Sequence, residues 1–167
     1  PAHIVPLVEV VPGPKTSADT ISITSDLMQQ IGKKTVVMKN FVPLFIVNRI
    51  QRSIVATVYE MLINKWASPE EIDLAVKLSI GLRLPIMGVV QSLDFNGLDT
   101  VSALNKRDGI NLPLVEEKVK SGALGVKTSK GIFDYGNRTE EEILKQRDDL
   151  LLDMLDYLEQ KKSFVPL

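Results

Sequence analysis

A mainly α-helical fold, entered through one strand-helix-strand unit, is what this sequence predicts, and three observations predict it. Strand-type runs, Pro6 to Val11 and Lys34 to Lys39, lie close to the start of the chain. After Pro43 helix signals take over, with Ile46, Ile50, Ile54, Val58 and Leu62 spaced four apart. Two capping boxes, Ser68-Pro69-Glu70-Glu71 and Thr139-Glu140-Glu141-Glu142, mark further helix starts.

Pro6 to Val11 is β-branched and closed by Pro12-Gly13-Pro14, so it reads as a strand whose alternation puts Leu7, Glu9 and Val11 on one face. Thr16 or Ser17 is a good N-cap for a helix carrying Ile21, Leu27, Met28 and Ile31 until Gly32 stops it. Lys34 to Lys39 is the second strand. A long amphipathic helix then runs from about Leu44 to Lys65, with Asn48 and Arg49 in its first turns. The Ser68 box opens a helix that carries Ile72, Ala75 and Val76 inward and stops near Gly81. Pro85 and Gly88 are expected to break the chain before a short helical stretch, Gly97-Leu98-Asp99 marks a joint, and Asn111-Leu112-Pro113 opens a helix through Val119. Ser121 to Tyr135, with Gly122, Gly125 and Gly131, reads as a structured loop with a short extended piece. In the last helix Leu144, Leu151, Leu155 and Leu158 form a stripe flanked by Ile143, Leu150 and Met154. So wide an apolar surface must dock on the body or on another subunit.

Composition narrows the function classes. With 167 residues, 44% of them hydrophobic, the chain has ample material for a core and cannot be a disordered segment. Lys and Arg number 20 against 21 Asp and Glu, a net charge of −1, which gives no footprint for nucleic acid or an anionic membrane. The absence of Cys and the single His exclude disulfides, thiolate chemistry and multi-histidine metal centres. No apolar run approaches a membrane span and no basic leader opens the chain, so a soluble cytoplasmic protein without metal is expected. None of the 10 glycines lies two positions from another, so there is no Gly-x-Gly turn of a dinucleotide fingerprint. A Walker A loop and a Gly-x-Ser-x-Gly elbow are absent as well.

Three polar residues stand out. Glu9 lies in an apolar strand, either as a strand-end carboxylate that reaches solvent or as a carboxylate that orients a histidine and stabilises its imidazolium. His3, six residues away along an extended strand, is too far to pair with it directly and is expected at the surface. Asn48, at the start of the long helix, is expected to be buried, its amide satisfying nearby backbone or facing a ligand or the catalytic base. Lys127, between Gly125 and Gly131, is either solvated or a flexible cation for a phosphate or ribose.

Four stretches in order carry a family resemblance: Pro6-Leu7-Val8-Glu9-Val10-Val11 with Lys15-Thr16-Ser17; Pro43 to Ile50; Met87-Gly88 followed by Asp94-Phe95-Asn96-Gly97-Leu98-Asp99; and Gly122 to Thr128 continued by Gly131-Ile132-Phe133-Asp134-Tyr135. Together they resemble the C-terminal part of the 3-hydroxyacyl-CoA dehydrogenase family. The resemblance implies a remnant of a Rossmann-type NAD-binding domain over 1–42, then an all-helical substrate-side and dimerisation domain of the 6-phosphogluconate dehydrogenase C-terminal-like type over 43–167. It implies NAD as cofactor, an acyl-CoA substrate, interconversion of L-3-hydroxyacyl-CoA and 3-ketoacyl-CoA in fatty acid or butanoate metabolism, and a homodimer through the helices beginning near Ile46 and Ile72. By motif position, Glu9 takes the role of the catalytic carboxylate that holds the family's histidine, Asn48 that of a substrate-site amide, and Lys127 that of a lysine reaching toward the cofactor.

This chain departs from the family pattern at Leu44, where the family has glycine, at Val89 for proline, and at Ser129 and Ile132 for glycine and phenylalanine. Loss of the glycine at position 44 is expected to reshape the substrate-side turn. The family's glycine fingerprint and catalytic histidine lie N-terminal to the Glu9 strand, the histidine in a motif whose proline corresponds to Pro1. The expected partner is therefore an N-terminal NAD-binding half, and the chain alone is expected to be inactive. Two other outcomes fit the same residues: a related dehydrogenase of another 3-hydroxy substrate, such as carnitine or a sugar acid, and a non-catalytic helical dimerisation module.

Overall fold

The computed structural model describes residues 3–166, so Pro1 lies outside the described residues. The chain divides into two compact units, Pro1–Trp66 and Ala67–Leu167.

The first unit contains β1 (Leu7–Val10), α1 (Ala18–Gln30), β2 (Lys34–Val37) and α2 (Val47–Ile63). β1 and β2 pair in parallel, with Leu7 opposite Lys34 and Val10 opposite Val37. Parallel neighbours need a crossover, and α1 supplies it, packing on both strands. Its start is the expected one: the Ser17 hydroxyl accepts the Thr20 amide at 3.1 Å. α2 begins three residues later than its apolar spacing predicts. Leu44 and Phe45 take left-handed backbone angles, with φ of 70° and 53°, and no helix can start through them. No residue of α2 is fully buried, and Ile50 and Ile54 are each 46% exposed.

The second unit is helical: α3 (Pro69–Leu78), α4 (Ile80–Met87), α5 (Gln91–Asn96), α6 (Leu98–Arg107), α7 (Pro113–Lys120), a 3₁₀ turn at Val126–Thr128 and α8 (Glu140–Gln160). One core cluster gathers Leu98, Val101 and Val115, with Ile132 packed on it; another gathers Val126, Tyr135 and Ile143, with Phe95 and Leu144. α8 docks on α4, as its apolar stripe requires. Both capping boxes are formed, with Ser68 accepting the Glu71 amide and Thr139 the Glu142 amide, each at 3.2 Å.

Three expectations are corrected here. Ser79, at φ −127° and ψ −85°, ends α3 before Gly81, and Gly81 lies inside α4. Pro85 does not break the chain: it removes one hydrogen bond from α4, and the stop falls at Gly88, whose φ of 66° suits glycine. Of the residues assigned to the inner face of α3, Ile72 is buried, but Ala75 and Val76 are exposed because only one side of this short helix meets α4. α6 is marked in the sequence only by its opening Gly97-Leu98-Asp99. No described helix is long and apolar enough to cross a membrane.

Candidate functional site

β1 places Glu9 one residue from its C-terminal end, half-buried, with its carboxylate reaching the start of α2. Glu9 Oε1 accepts the amide of Ile46 at 2.7 Å and that of Val47 at 3.3 Å. The local sequence explains why this happens. Ile46 stands at the N-cap of α2 and has no side chain that can accept a hydrogen bond, so the orphan amides of the first turn are open to a carboxylate from elsewhere. The positive end of the helix favours that charge. Glu9 is therefore neither a solvated strand end nor an uncompensated buried charge. Its other oxygen, Oε2, has no hydrogen-bond partner among the described residues.

Asn48 is the second residue of α2, so Glu9 and Asn48 meet at one helix end. It is exposed, not buried as expected. Among the described residues its side-chain amide makes no hydrogen bond and caps no nearby backbone. The same end carries an apolar rim in which Phe41 and Phe45 pack edge to face with centroids 6.1 Å apart. Leu44, where the family has glycine, takes a left-handed backbone with φ 70°, a region that glycine enters without a Cβ penalty. Ser129 does the same at φ 53° in the 3₁₀ loop. His3 is exposed, as expected.

Lys127 lies in the second unit, exposed to solvent but paired. Its ammonium donates to both oxygens of Asp99, at 2.6 Å each. That ammonium, followed by the Thr100 amide, holds the Asp99 carboxyl below its ordinary range. The loop that presents Lys127 is anchored by Asp94, which is 1% exposed. Asp94 accepts the amides of Ile132 and Phe133, at 2.9 Å each, and the Tyr135 hydroxyl at 3.1 Å. Burial, then the Asp94 charge, pushes the Tyr135 phenol up to about 12, so it remains a neutral donor. A Cβ on Gly125 or Gly131 would collide with Asp94, which is why both positions are glycine. Neither Asp94 nor Asp99 is marked by the sequence beyond its place in a motif. The legible signal is the two glycines of the loop, since tight glycines imply a group packed against their backbone.

Residues 45–135 match the C-terminal domain of 3-hydroxyacyl-CoA dehydrogenase, and residues 1–41 match its NAD binding domain. The chain belongs to the 3-hydroxyacyl-CoA dehydrogenase family. Within that family frame, it is 31% identical, over 97% of its length, to 5-formyl-3-hydroxy-2-methylpyridine 4-carboxylate 5-dehydrogenase of Mesorhizobium japonicum, of which it covers 55%. It is 33% identical, over 83% of its length, to the probable 3-hydroxybutyryl-CoA dehydrogenase of Bacillus subtilis, covering 50% of that protein. A crystal structure of 3-hydroxyacyl-CoA dehydrogenase from Archaeoglobus fulgidus superposes with a TM-score of 0.79 at 30% identity, covering 94% of this chain and 56% of that one. The chain thus spans about half the length of these relatives. The fold expectation, a NAD-domain tail followed by a helical domain, stands, and so does NAD as the family's cofactor. Of the described residues, the parallel β1-α1-β2 unit fits that cofactor: ligands of such sheets sit beyond the carboxyl ends of the strands, and Glu9 is at that end of β1.

Proposed function

We propose that this chain is the C-terminal portion of an NAD-dependent L-3-hydroxyacyl-CoA dehydrogenase, converting a 3-hydroxyacyl-CoA and NAD⁺ to the 3-ketoacyl-CoA, NADH and a proton. One observation carries the reading: Glu9 binds the first amides of α2 with one oxygen only, at the helix end that also carries Asn48. The second oxygen suits the N–H of an imidazole contributed from upstream, and a carboxylate so placed fixes the imidazole's tautomer and stabilises the imidazolium formed when it takes the hydroxyl proton. NAD⁺, when bound, supplies the hydride acceptor. Asn48 donates its amide to the substrate oxygen on which charge develops. Lys127 serves the cofactor side. Turnover is expected only where such an imidazole stands beside Glu9.

The exposed apolar line of α2, Ile50, Ile54 and Leu62, together with Leu74 of α3, supports a homodimer through these helices. A strictly monomeric species by light scattering at micromolar concentration contradicts that part of the reading.

A second reading keeps the catalytic parts and changes the substrate. The Mesorhizobium relative matches nearly the whole chain and is named for a pyridine substrate, and Leu44 adds a side chain beside the Glu9 turn. NADH oxidation by the full-length protein decides between them. Turnover of acetoacetyl-CoA supports the acyl-CoA reading, whereas turnover confined to non-thioester substrates overturns it.

A further inference from the structure

We propose that Asn96 is a site of spontaneous modification: the Asn96-Gly97 link converts through a succinimide to an isoaspartyl link, and this dismantles the joint between α5 and α6.

The chemistry needs a carboxamide free to turn toward the next backbone nitrogen, and a next residue with no side chain to hinder the approach. Asn96 alone among the asparagines of the sequence precedes a glycine. It is exposed, and its carboxamide makes no hydrogen bond among the described residues. It closes α5, a helix of 6 residues, which is too short to hold its last turn rigidly helical. The nucleophile is held loosely too: the Gly97 N–H reaches the Asp94 carbonyl at 3.3 Å, beyond the usual range. Asp108-Gly109 is the contrasting case. There Arg107 donates to both carboxylate oxygens, at 2.8 and 3.2 Å, and tethers the side chain that would have to turn.

Water is the only co-reactant. The Gly97 nitrogen gives up its proton and attacks Asn96 Cγ, the Cγ–Nδ2 bond breaks, and ammonia leaves as the cyclic imide closes. Water then adds to one imide carbonyl. Attack at Cγ leaves an ordinary aspartate, whereas attack at the backbone carbonyl carbon leaves the main chain running through Cγ, longer by a methylene. Both products carry a new carboxylate, and neither step oxidises or reduces the chain.

The longer main chain falls where there is no room for it. On one side Leu98 is fully buried and its amide donates to the Leu124 carbonyl at 3.0 Å. On the other side lies Asp94, 1% exposed, which accepts the Ile132 and Phe133 amides and the Tyr135 hydroxyl. An extra atom between Asp94 and Leu98 shifts one against the other, and a close-packed interior transmits that shift to the loop that Asp94 anchors.

The test ages the full-length protein, Asn96→Gln and Asn96→Asp for days in mildly alkaline buffer, beside a free peptide spanning residues 94–100. Intact mass, peptide mapping and labelling by an isoaspartyl methyltransferase follow the change. The parent should gain about 1 Da, the difference between –NH₂ and –OH, in the peptide that carries residues 96–97. The rate should be at least about a tenth of the free peptide's, and Asn96→Gln should take up neither mass nor label. The melting midpoint of the aged parent should fall by about 3 °C or more, while Asn96→Asp, with the new charge on a normal backbone, keeps the midpoint of the fresh parent. A slower rate, or a mass gain that maps elsewhere, overturns the modification. A midpoint that survives conversion, or that falls equally in Asn96→Asp, overturns the role given to the lengthened backbone.

Discussion

Glu9 and Ile46 are 37 residues apart in the chain, and the carboxylate of the first accepts the amide of the second at 2.7 Å. A strand residue thus supplies the N-terminal cap that α2 lacks in its own sequence. This ties the carboxylate assigned to catalysis to the helix that carries Asn48. Glu9→Ala should leave the first-turn amides without an acceptor and lower stability by about 1 kcal/mol, the usual effect of losing a helix cap. Urea denaturation together with amide exchange at Ile46 and Val47 checks it. Unchanged protection at those two amides contradicts the cap.

Leu44 holds a left-handed backbone in the turn before that cap. Leu44→Gly should stabilise the chain by about 1 kcal/mol by removing the strain of a Cβ at positive φ. Leu44→Val, with a β-branched side chain at the same angle, should move stability the other way. The two denaturation midpoints must fall on opposite sides of the parent value.

Tyr135 donates to the buried Asp94 carboxylate and titrates near 12, against about 10 for an exposed phenol. Here the folded form holds its proton more tightly than the unfolded chain does. The contribution is therefore constant below the unfolded value near 10, and stability falls as pH rises from there toward 12, where the unfolded state binds fewer protons. Tyrosinate absorbance should show a late step near 12, and Tyr135→Phe should remove it. A late step that survives in Tyr135→Phe contradicts the assignment.

Asp94 has three donors aimed at it and almost no contact with water. Asp94→Asn turns an amide N–H₂ toward donors that need an acceptor, which should cost about 2–4 kcal/mol and loosen the Lys127 loop. Gly131→Ala should be comparably damaging because its Cβ meets the same carboxylate. Chemical denaturation of both variants tests this, and a loss below about half a kcal/mol in either contradicts it, since that is the scale of a neutral surface change.

The features legible in the sequence are those encoded locally. Ser68 with Glu71, and Thr139 with Glu142, announce helix starts within four residues, and both boxes formed. The four-residue spacing from Ile46 to Leu62 likewise revealed α2. Its starting point was not legible, because left-handed angles at Leu44 and Phe45 are unusual for residues with side chains. Pro85 misled for a related reason: a proline costs a helix one bond, and an eight-residue helix ended by Gly88 tolerates that loss. The site was legible as residue types and not as partners. Glu9 finds Ile46 and Lys127 finds Asp99 only through tertiary structure, across 37 and 28 residues. No local pattern encodes either pairing.

The central claim is that Glu9 fixes the histidine that acts as base in the assembled enzyme. Steady-state kinetics of the full-length protein with acetoacetyl-CoA and NADH test it most directly, comparing Glu9→Gln with the parent. The neutral amide of that variant can still accept the Ile46 N–H but cannot stabilise an imidazolium, so kcat should fall by about a hundredfold or more while the KM for NADH and the melting temperature stay close to the parent values. A kcat within about threefold of the parent, with the variant folded, contradicts the claim and leaves Glu9 as a helix cap alone.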